Sequence, residues 1–313
     1  MWQLLKDAFN QWSEDRPSQV SAALAYFTLF SIAPLLLIAI AIAGLFFGQE
    51  ATKNQLVGAL QGLVGQESAK AVQAMVKNAG KPSSGIVATI VSVVTLLIGA
   101  TGVVSQLQES LNIVWQVEPK PGRGVMGVIK DRIASFSMIL AIGFLLLVSL
   151  VVSTVLTAAS QSLQGFLPGG ALIWRVVDFG LSFGFITLLF AMMYKILPDV
   201  RIAWKDVWIG AAITSLLFTI GKFLIGLYLG HSSVQSAYGA AGSLVVLLIW
   251  VYYSAQIFLF GAELTQVYTN RYGSGMKPAE NAIAVNIPVS SSSQDFPAQK
   301  RVTTPDHHFE ASQ

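Results

Sequence analysis

The sequence predicts an all-α, polytopic membrane protein with six transmembrane helices and an N-terminal amphipathic helix. The first observation is composition: 54% of the 313 residues are hydrophobic and 11% are charged, whereas a soluble domain carries about 25% charged residues. The second is a mean hydropathy of +0.63. The third is a set of long, continuously apolar stretches, since barrel strands would alternate in polarity over about ten residues.

The N-terminal segment, which precedes the first apolar stretch, has an amphipathic pattern. Trp2, Leu5, Phe9 and Trp12 recur at helical spacing on one face. The segment also contains acidic residues and has no apolar region before a small-residue cleavage site, which argues against a signal peptide. The pattern predicts a short helix that either lies in the membrane interface or packs on the underside of the protein itself.

Six stretches reach or approach the roughly 20 apolar residues that cross about 30 Å of hydrocarbon. They cover residues 24–47, 86–104, 133–156, 179–197, 207–229 and 244–262. The fifth also carries Gly210, Gly221, Gly226 and Gly230, of which the last two form a GxxxG pair. Small residues at this spacing allow two helix backbones to approach closely, so we expect them to serve packing.

The remaining segments complete a single transmembrane domain, residues 1–272, followed by a tail. The loop 48–84 has apolar residues at helical spacing and predicts two short amphipathic helices, one around 56–63 and one around 72–76. Residues 273–313 contain four prolines and a serine run, a composition that buries too little apolar area to fold. We therefore expect a disordered cytoplasmic tail.

Lys and Arg residues are distributed unequally between the two sets of loops. With the N-terminus inside, 13 of them fall in inner segments and 5 in outer segments, and Lys222 is left within the fifth span. Cytoplasmic loops carry the excess of these residues. The sequence thus predicts both termini in the cytoplasm and the loop 48–84 outside.

Four runs resemble a known family. They are SAALAYFTLFSIAPLLL at 21–37, GATGVVSQLQESLNIVW at 99–115, YKILPDVRIAWKDVWIGA at 194–211 and YGAAGSLVVLLIWVYYSAQIFLFGAELTQVY at 238–268. In order and spacing they resemble the YihY/BrkB family of bacterial inner-membrane proteins, over roughly residues 1–272. The resemblance implies a six-helix protein of the bacterial plasma membrane. It implies little chemistry, although a transport or lipid-export role has been suggested and an old ribonuclease BN label travels with the family.

The residue types argue against an enzyme, and against a ribonuclease in particular. The chain has no Cys and three His, two of them in the tail. A nuclease needs a general acid or base, a metal cage or a basic groove for phosphate. The sequence therefore suggests no catalytic, cofactor-binding or metal site and no nucleic-acid partner. The expected partners are the lipid bilayer and a lipid or other amphiphilic anion, and the oligomeric state is left open.

Polar residues inside the spans are the candidates for a substrate site or gate, because charge near the bilayer centre costs at least about 2.5–3.5 kcal/mol. In the first span, Ser31 precedes Pro34, which removes a backbone donor; the pair marks either a hinge or an ordinary packing kink. Glu109 and Glu263 sit near the cytoplasmic edge, and Gln256 shares a face of the sixth helix with Glu263. These three predict either an inner gate or headgroup site, or a ring of structural ion pairs with the basic residues Lys195, Arg201 and Lys205.

Lys222 is the candidate with the most specific predicted role. It lies about 10 Å below the outer end of the fifth span at 1.5 Å per residue, on the small and polar side of the helix. Asp178 begins the fourth span at the same edge, within reach of a Lys that extends upward. Lys222 either forms a structural pair with Asp178, extends to the outer headgroups, or offers a cation to an anionic substrate.

These observations lead to two functional hypotheses. The first is a transporter or exporter of an amphiphilic or anionic, lipid-like substrate, which the polar stripes in an apolar bundle favour. The second is a non-transporting scaffold for envelope assembly, which the absence of a Walker A motif or a dense acidic relay favours. A continuous polar cavity would indicate the first, and a solid bundle the second.

Overall fold

The described part of the chain is mostly helical. The computed structural model describes residues 2–48, 58, 61, 66, 68–78, 86–121, 170–231, 238 and 241–285. Its main helices are α1 (Trp2–Glu14), α2 (Pro17–Phe47), α3 (Ile86–Val114), α4 (Gly170–Ile196), α5 (Trp204–His231) and α6 (Gly242–Arg271). Two short antiparallel ladders join β1 (Val117–Pro119) to β4 (Ala282–Ala284), and β2 (Val200–Arg201) to β3 (Lys277–Pro278).

Four of these helices are long and apolar enough to cross a membrane. The qualifying segments are Pro17–Ala41, Phe179–Ile196, Trp204–Tyr228 and Gly242–Arg271. The helix α3 covers the second predicted span, and the third, at 133–156, lies outside the described residues. The structure is that of a mostly helical membrane protein, and the count of six spans stays a prediction.

The helices α3, α4 and α6 all end at the same end of the bundle, which collects most of the polar connections. The segments that follow α3 and α4 pair, through β1 and β2, with the segment that follows α6. The helix α1 packs on α6, and α2 and α5 begin at this same end. We call this end the base. The N-terminal helix α1 and the segment that follows α6, residues 272–285, therefore lie at the same end of the bundle.

The largest buried apolar cluster lies in the half of the bundle next to the base. Trp115 and Tyr194 are its largest fully buried side chains, and α2 through α6 all contribute to it. The exposed side chains of α5 are instead large and apolar, with Leu216, Ile220 and Phe223 on one side of the helix. Such a face is suited to hydrocarbon rather than to water.

The helix α1 has two apolar faces in different surroundings. Leu4 and Ala8 are buried against α6, whereas Trp2, Leu5 and Phe9 are exposed. The alternative in which α1 packs on the underside of the protein is therefore realised by one face. The other face remains available to a membrane interface, as the amphipathic pattern predicts.

Two segments outside the main helices also take up positions against the bundle. Residues 68–78 are helical, and Val72 and Val76 pack with Ala33 of α2 and Leu247 of α6 at the end opposite the base. The stretch predicted as an amphipathic helix around 56–63 is largely outside the described residues.

The prediction of a disordered tail from residue 273 is wrong for residues 273–285. These residues supply β3 and β4, and Ala282 is 5% exposed within the main cluster. Composition alone underestimates how ordered this segment is. Its few apolar side chains fill a core built by other helices, and its backbone groups pair with β1 and β2. Residues 286–313 lie outside the described residues.

Candidate functional site

Ser31 and Pro34 lie in the contact between α2 and α3. Ser31 is buried, and its hydroxyl donates a hydrogen bond to the carbonyl of Gly99. A Cβ atom added at Gly99 would lie 3.1 Å from Cγ of Pro34, and one at Gly102 would lie 3.4 Å from Oγ of Ser31. The structure thus places both residues against the glycines of α3, in close helix packing.

A second close contact joins α4, α5 and α6. The hydroxyl of Tyr194 donates to the carbonyl of Phe258 at 2.7 Å and lies 3.2 Å from Oγ1 of Thr214, which itself bonds the carbonyl of Gly210. A Cβ atom at Gly261 would lie 2.0 Å from that Oγ1. The sequence analysis did not single out Tyr194, and its only signal was a tyrosine near the polar end of an apolar span.

Two of the four glycines expected to serve packing, Gly210 and Gly221, permit close approach of α5 to α6. At Gly226, a Cβ atom would meet nothing within 4 Å among the described residues, whereas at Gly221 it would lie 2.4 Å from Ile257. Close packing of α5 on α6 therefore occurs at Gly210 and Gly221. The rotation of α5 about its axis decides which glycines face α6, and the spacing of glycines alone does not reveal it.

The remaining predicted residues are dispersed over the bundle. Lys222 is half-buried on α5, and Glu109 is exposed on α3. Asp178 lies in α4, but its side chain is outside what the structure describes, so its pairing with Lys222 stays a prediction. Gln256 and Glu263 lie on α6, seven residues or about 10 Å apart. Each has a buried Oε1 atom without a hydrogen-bond partner among the described residues.

Among the described residues, Lys195 and Arg201 have other partners. Lys195 donates to the carbonyl of Ile202, and Arg201 pairs with Glu280. Glu263 instead lies near another acid, Asp15, in the turn between α1 and α2, and the two side chains line the same small cavity. The predicted ring of ion pairs is therefore replaced, at Glu263, by a pair of acids.

The acid pair borders a small cavity between α1, α2, α3 and α6, with room for about one water molecule. Its other lining residues are Trp12, Pro17, Val20, Ser110, Ile113, Val114 and Leu259. Burial raises the pKa of Asp15 above its ordinary value of 3.8; hydrogen bonding with Glu263 opposes that change, and the charge of Glu14 adds to it. Sequence reasoning missed Asp15, because nothing local links it to α6.

A polar hub at the base connects the end of α3 and the start of α5 with the segments that follow α4 and α6. Asn112 donates to Oδ2 of Asp199 at 3.0 Å and accepts the backbone N–H of Asp199 at 2.8 Å. Asn281 donates to Oδ1 of Asp199 at 3.2 Å. The carboxyl of Asp206 accepts bonds from the backbone and the hydroxyl of Ser274. These bonds satisfy buried carboxylates and tie the four helix ends together, so their evident role is structural.

Within the described ranges, no group of three or more His, Asp or Glu side chains is arranged to hold a metal ion. The predicted polar candidates on α5 and α6 fall into two separate groups. One is the acid pair near the base, continued along α6 by Gln256. The other is Lys222 on α5, farther from the base.

Known sequences agree with the resemblance in the four runs. The family described as Virulence factor BrkB matches residues 8–284. A UPF0761 membrane protein of Alcanivorax borkumensis is 28% identical over 82% of this chain and 58% of its own length. One of Pseudoalteromonas translucida is 27% identical over 82% of each chain, and one of Vibrio parahaemolyticus is 29% identical over 81% of this chain and 78% of its own.

No solved structure matches the chain. The family match covers most of the sequence, including the strands β3 and β4 that lie beyond the last long helix. The chain belongs to the Virulence factor BrkB family of membrane proteins.

Proposed function

We propose that this protein is a bacterial plasma-membrane transporter or exporter of an amphiphilic, anionic, lipid-like substrate. The observation that carries the proposal is that the Oε1 atoms of Gln256 and Glu263 on α6 are buried and have no hydrogen-bond partner among the described residues. A buried polar atom without a partner costs free energy in any apolar surrounding. Polar and ionisable groups inside membrane helices commonly mark substrate or ion pathways.

Lys222 defines the proposed substrate class. Lys222 lies on α5, is half-buried and precedes the exposed, apolar Phe223 in the chain. A cation beside an apolar, lipid-suited surface matches a molecule with an anionic headgroup and a hydrocarbon tail. In this proposal Lys222 contacts the headgroup, and the tail remains in the hydrocarbon along α5.

The test is flux in proteoliposomes that contain only the purified protein. Fluorescent phosphatidylglycerol and phosphatidylcholine analogues, followed by quenching from outside, compare an anionic with a zwitterionic headgroup. We expect the protein to move the anionic analogue faster, and Lys222→Met to abolish that preference. Lys205→Met is the matched control, because Lys205 is an exposed residue of the same helix at the base.

Two results would contradict the transport proposal. Flux no faster than in empty liposomes would contradict transport itself. Unchanged flux and headgroup preference in a monodisperse Lys222→Met variant would contradict the proposed contact between Lys222 and the headgroup. If Lys222→Met misfolds and adding Asp178→Asn restores folding, Lys222 is half of a structural pair instead.

The alternative is a non-transporting scaffold for envelope assembly. The tight packing of α4, α5 and α6 around Tyr194, and a cavity at the acid pair that holds only about one water, favour it. A scaffold shows no flux for either analogue and co-purifies with envelope enzymes after crosslinking in cells.

The proposed orientation places the base in the cytoplasm. Exposed basic residues gather there, as cytoplasmic segments require; they are Lys120, Arg201, Lys205, Arg271 and Lys277. The chain has no native Cys, so single Cys substitutions report sidedness directly. We expect Lys277→Cys to react only from the cytoplasm and Gln66→Cys only from outside, and the reverse pattern would invert the orientation.

A further inference from the structure

Asp15 and Glu263 line the same small cavity, and their carboxyl groups are close enough to influence each other. An ionised carboxylate accepts hydrogen bonds but has none to donate. Two carboxyl groups can therefore hydrogen-bond to each other only when one of them carries a proton. Two carboxylates that share a site in this way cannot both ionise easily, because the second negative charge is repelled by the first.

The surroundings of Asp15 and Glu263 favour a form of the pair that keeps one proton bound. Glu263 is 1% exposed, its Oε1 atom has no partner among the described residues, and it borders the same cavity as Asp15. Apolar side chains of α1, α2, α3 and α6 provide most of the remaining wall. The cavity gives a proton, or one water that carries it, room beside the two carboxyl groups.

Among the residues that the structure describes, the charged groups of the surrounding elements do not supply a counter-ion for the pair. On α1, Glu14 is exposed and adds negative charge. On α3, the residues that face the cavity are uncharged, and Glu109 is exposed. On α6, Arg271 bonds Asp7 at 3.0 Å and also bonds Gln3. Arg16 follows Asp15 in the turn and is exposed.

We propose that Asp15 and Glu263 form a proton-binding site, in which one shared proton holds the corner between α1 and α2 against α6. Loss of that proton leaves two negative charges in contact in a largely apolar wall, and their repulsion separates the corner from α6. The inference deepens the proposed function and rests on it in one respect: the proton is the species that drives or gates transport. The raised pKa of Asp15 agrees with a proton that is retained above the usual range of a carboxyl group.

The direct test is the infrared C=O band of a protonated carboxylic acid in the full-length protein, reconstituted in lipid and titrated towards alkaline pH. We expect the wild type to retain such a band at neutral pH and to lose it at higher pH. The double variant Asp15→Asn with Glu263→Gln should lack the band, whereas Glu109→Gln, which removes an exposed carboxyl, should keep it. A band that is absent at neutral pH in the wild type, or unchanged in the double variant, would overturn the proposal.

Isotope labelling keeps the test independent of how well the variants fold. Wild-type protein labelled at the side-chain carboxyl carbon of glutamate, or separately of aspartate, shifts the band if that residue type carries the proton. A shared proton predicts that at least one of the two labels moves the pH-dependent band. If neither label moves it, no carboxyl side chain holds a proton and the proposal is wrong.

Opening of the corner is measured by thiol accessibility. Ser110 is fully buried at the cavity wall, and Ser110→Cys should react with a water-soluble maleimide more steeply with pH than the exposed Asn10→Cys, which reports the thiol chemistry alone. The excess should disappear when both acids are replaced by amides. Equal pH profiles for the two cysteines would show that the corner between α1 and α2 does not separate from α6 as the pH rises.

These readouts are taken without substrate, so they separate the two proposals. Lost or absent flux with an intact carboxyl band contradicts transport alone. The proton site alone is contradicted if flux persists although the carboxyl band is absent. It is equally contradicted if flux persists and the band of the double variant titrates like that of the wild type.

Discussion

Replacing Gly261 by alanine should destabilise the folded bundle by about 2–4 kcal/mol. The new Cβ atom would lie 2.0 Å from Oγ1 of Thr214 and 2.6 Å from the hydroxyl of Tyr194. Both atoms belong to rigid, buried side chains, so α5 or α4 must move away from α6. Overpacking of this kind costs about 1–3 kcal/mol. The displaced bond from Tyr194 to the carbonyl of Phe258 contributes about 1 kcal/mol more.

The assay is unfolding of the purified protein in mixed micelles, titrated with SDS and followed by circular dichroism. The matched control is Gly226→Ala, because a Cβ atom there meets nothing within 4 Å among the described residues; we expect it to change stability by no more than about 1 kcal/mol. Adding Thr214→Ala to Gly261→Ala should restore part of the loss, since it removes the nearest clashing atom. Equal midpoints for Gly261→Ala and Gly226→Ala would show that α5 and α6 do not meet as described.

Three further predictions concern the base. Truncation after Gly275 removes β3 and β4 and should lower the SDS midpoint, whereas truncation after Val285 should leave it unchanged; equal midpoints would mean that the strands add nothing. Because its pKa is raised in the folded state, the stability that Asp15 contributes is complete below its ordinary value of 3.8 and is lost as pH rises through the raised value. Asp15→Asn should flatten that pH dependence, and an unchanged slope would assign it elsewhere. The bond between Arg271 and Asp7 joins two exposed side chains, so a double-mutant cycle with Arg271→Met and Asp7→Asn should give a coupling below about 1 kcal/mol.

Hydropathy and helical spacing were sufficient to place several helices, because both are local properties of the chain. The predicted first, second, fifth and sixth spans each fall within a helix of the described structure, and the fourth ends one residue beyond its helix. The helices are longer than the predicted spans; α2, for example, begins at Pro17 rather than at residue 24. Proline is favoured in the first helical turn, where its missing N–H has no partner to lose, so the polar turn before the span is already helical.

The interior contacts depend on how the helices rotate and cross, and local patterns do not specify these. The sequence marked four glycines of the fifth span for packing; α5 meets α6 at Gly210 and Gly221, whereas a Cβ atom at Gly226 would meet nothing within 4 Å among the described residues. Composition assigned residues 273–285 to a disordered tail, although their pairing partners are the segments that follow α3 and α4.

The sequence by itself determined the class of the protein, its family resemblance and the axial position of Glu263 on α6. It did not determine the partner of Glu263. Glu263 approached the same edge as three basic residues, so ion pairs were a reasonable expectation. Only the tertiary structure places Asp15, from the opposite end of the chain, against it. The physical reason is that α1 packs on α6 through Leu4 and Ala8, and this contact carries the following turn, with its carboxyl group, to the side of Glu263.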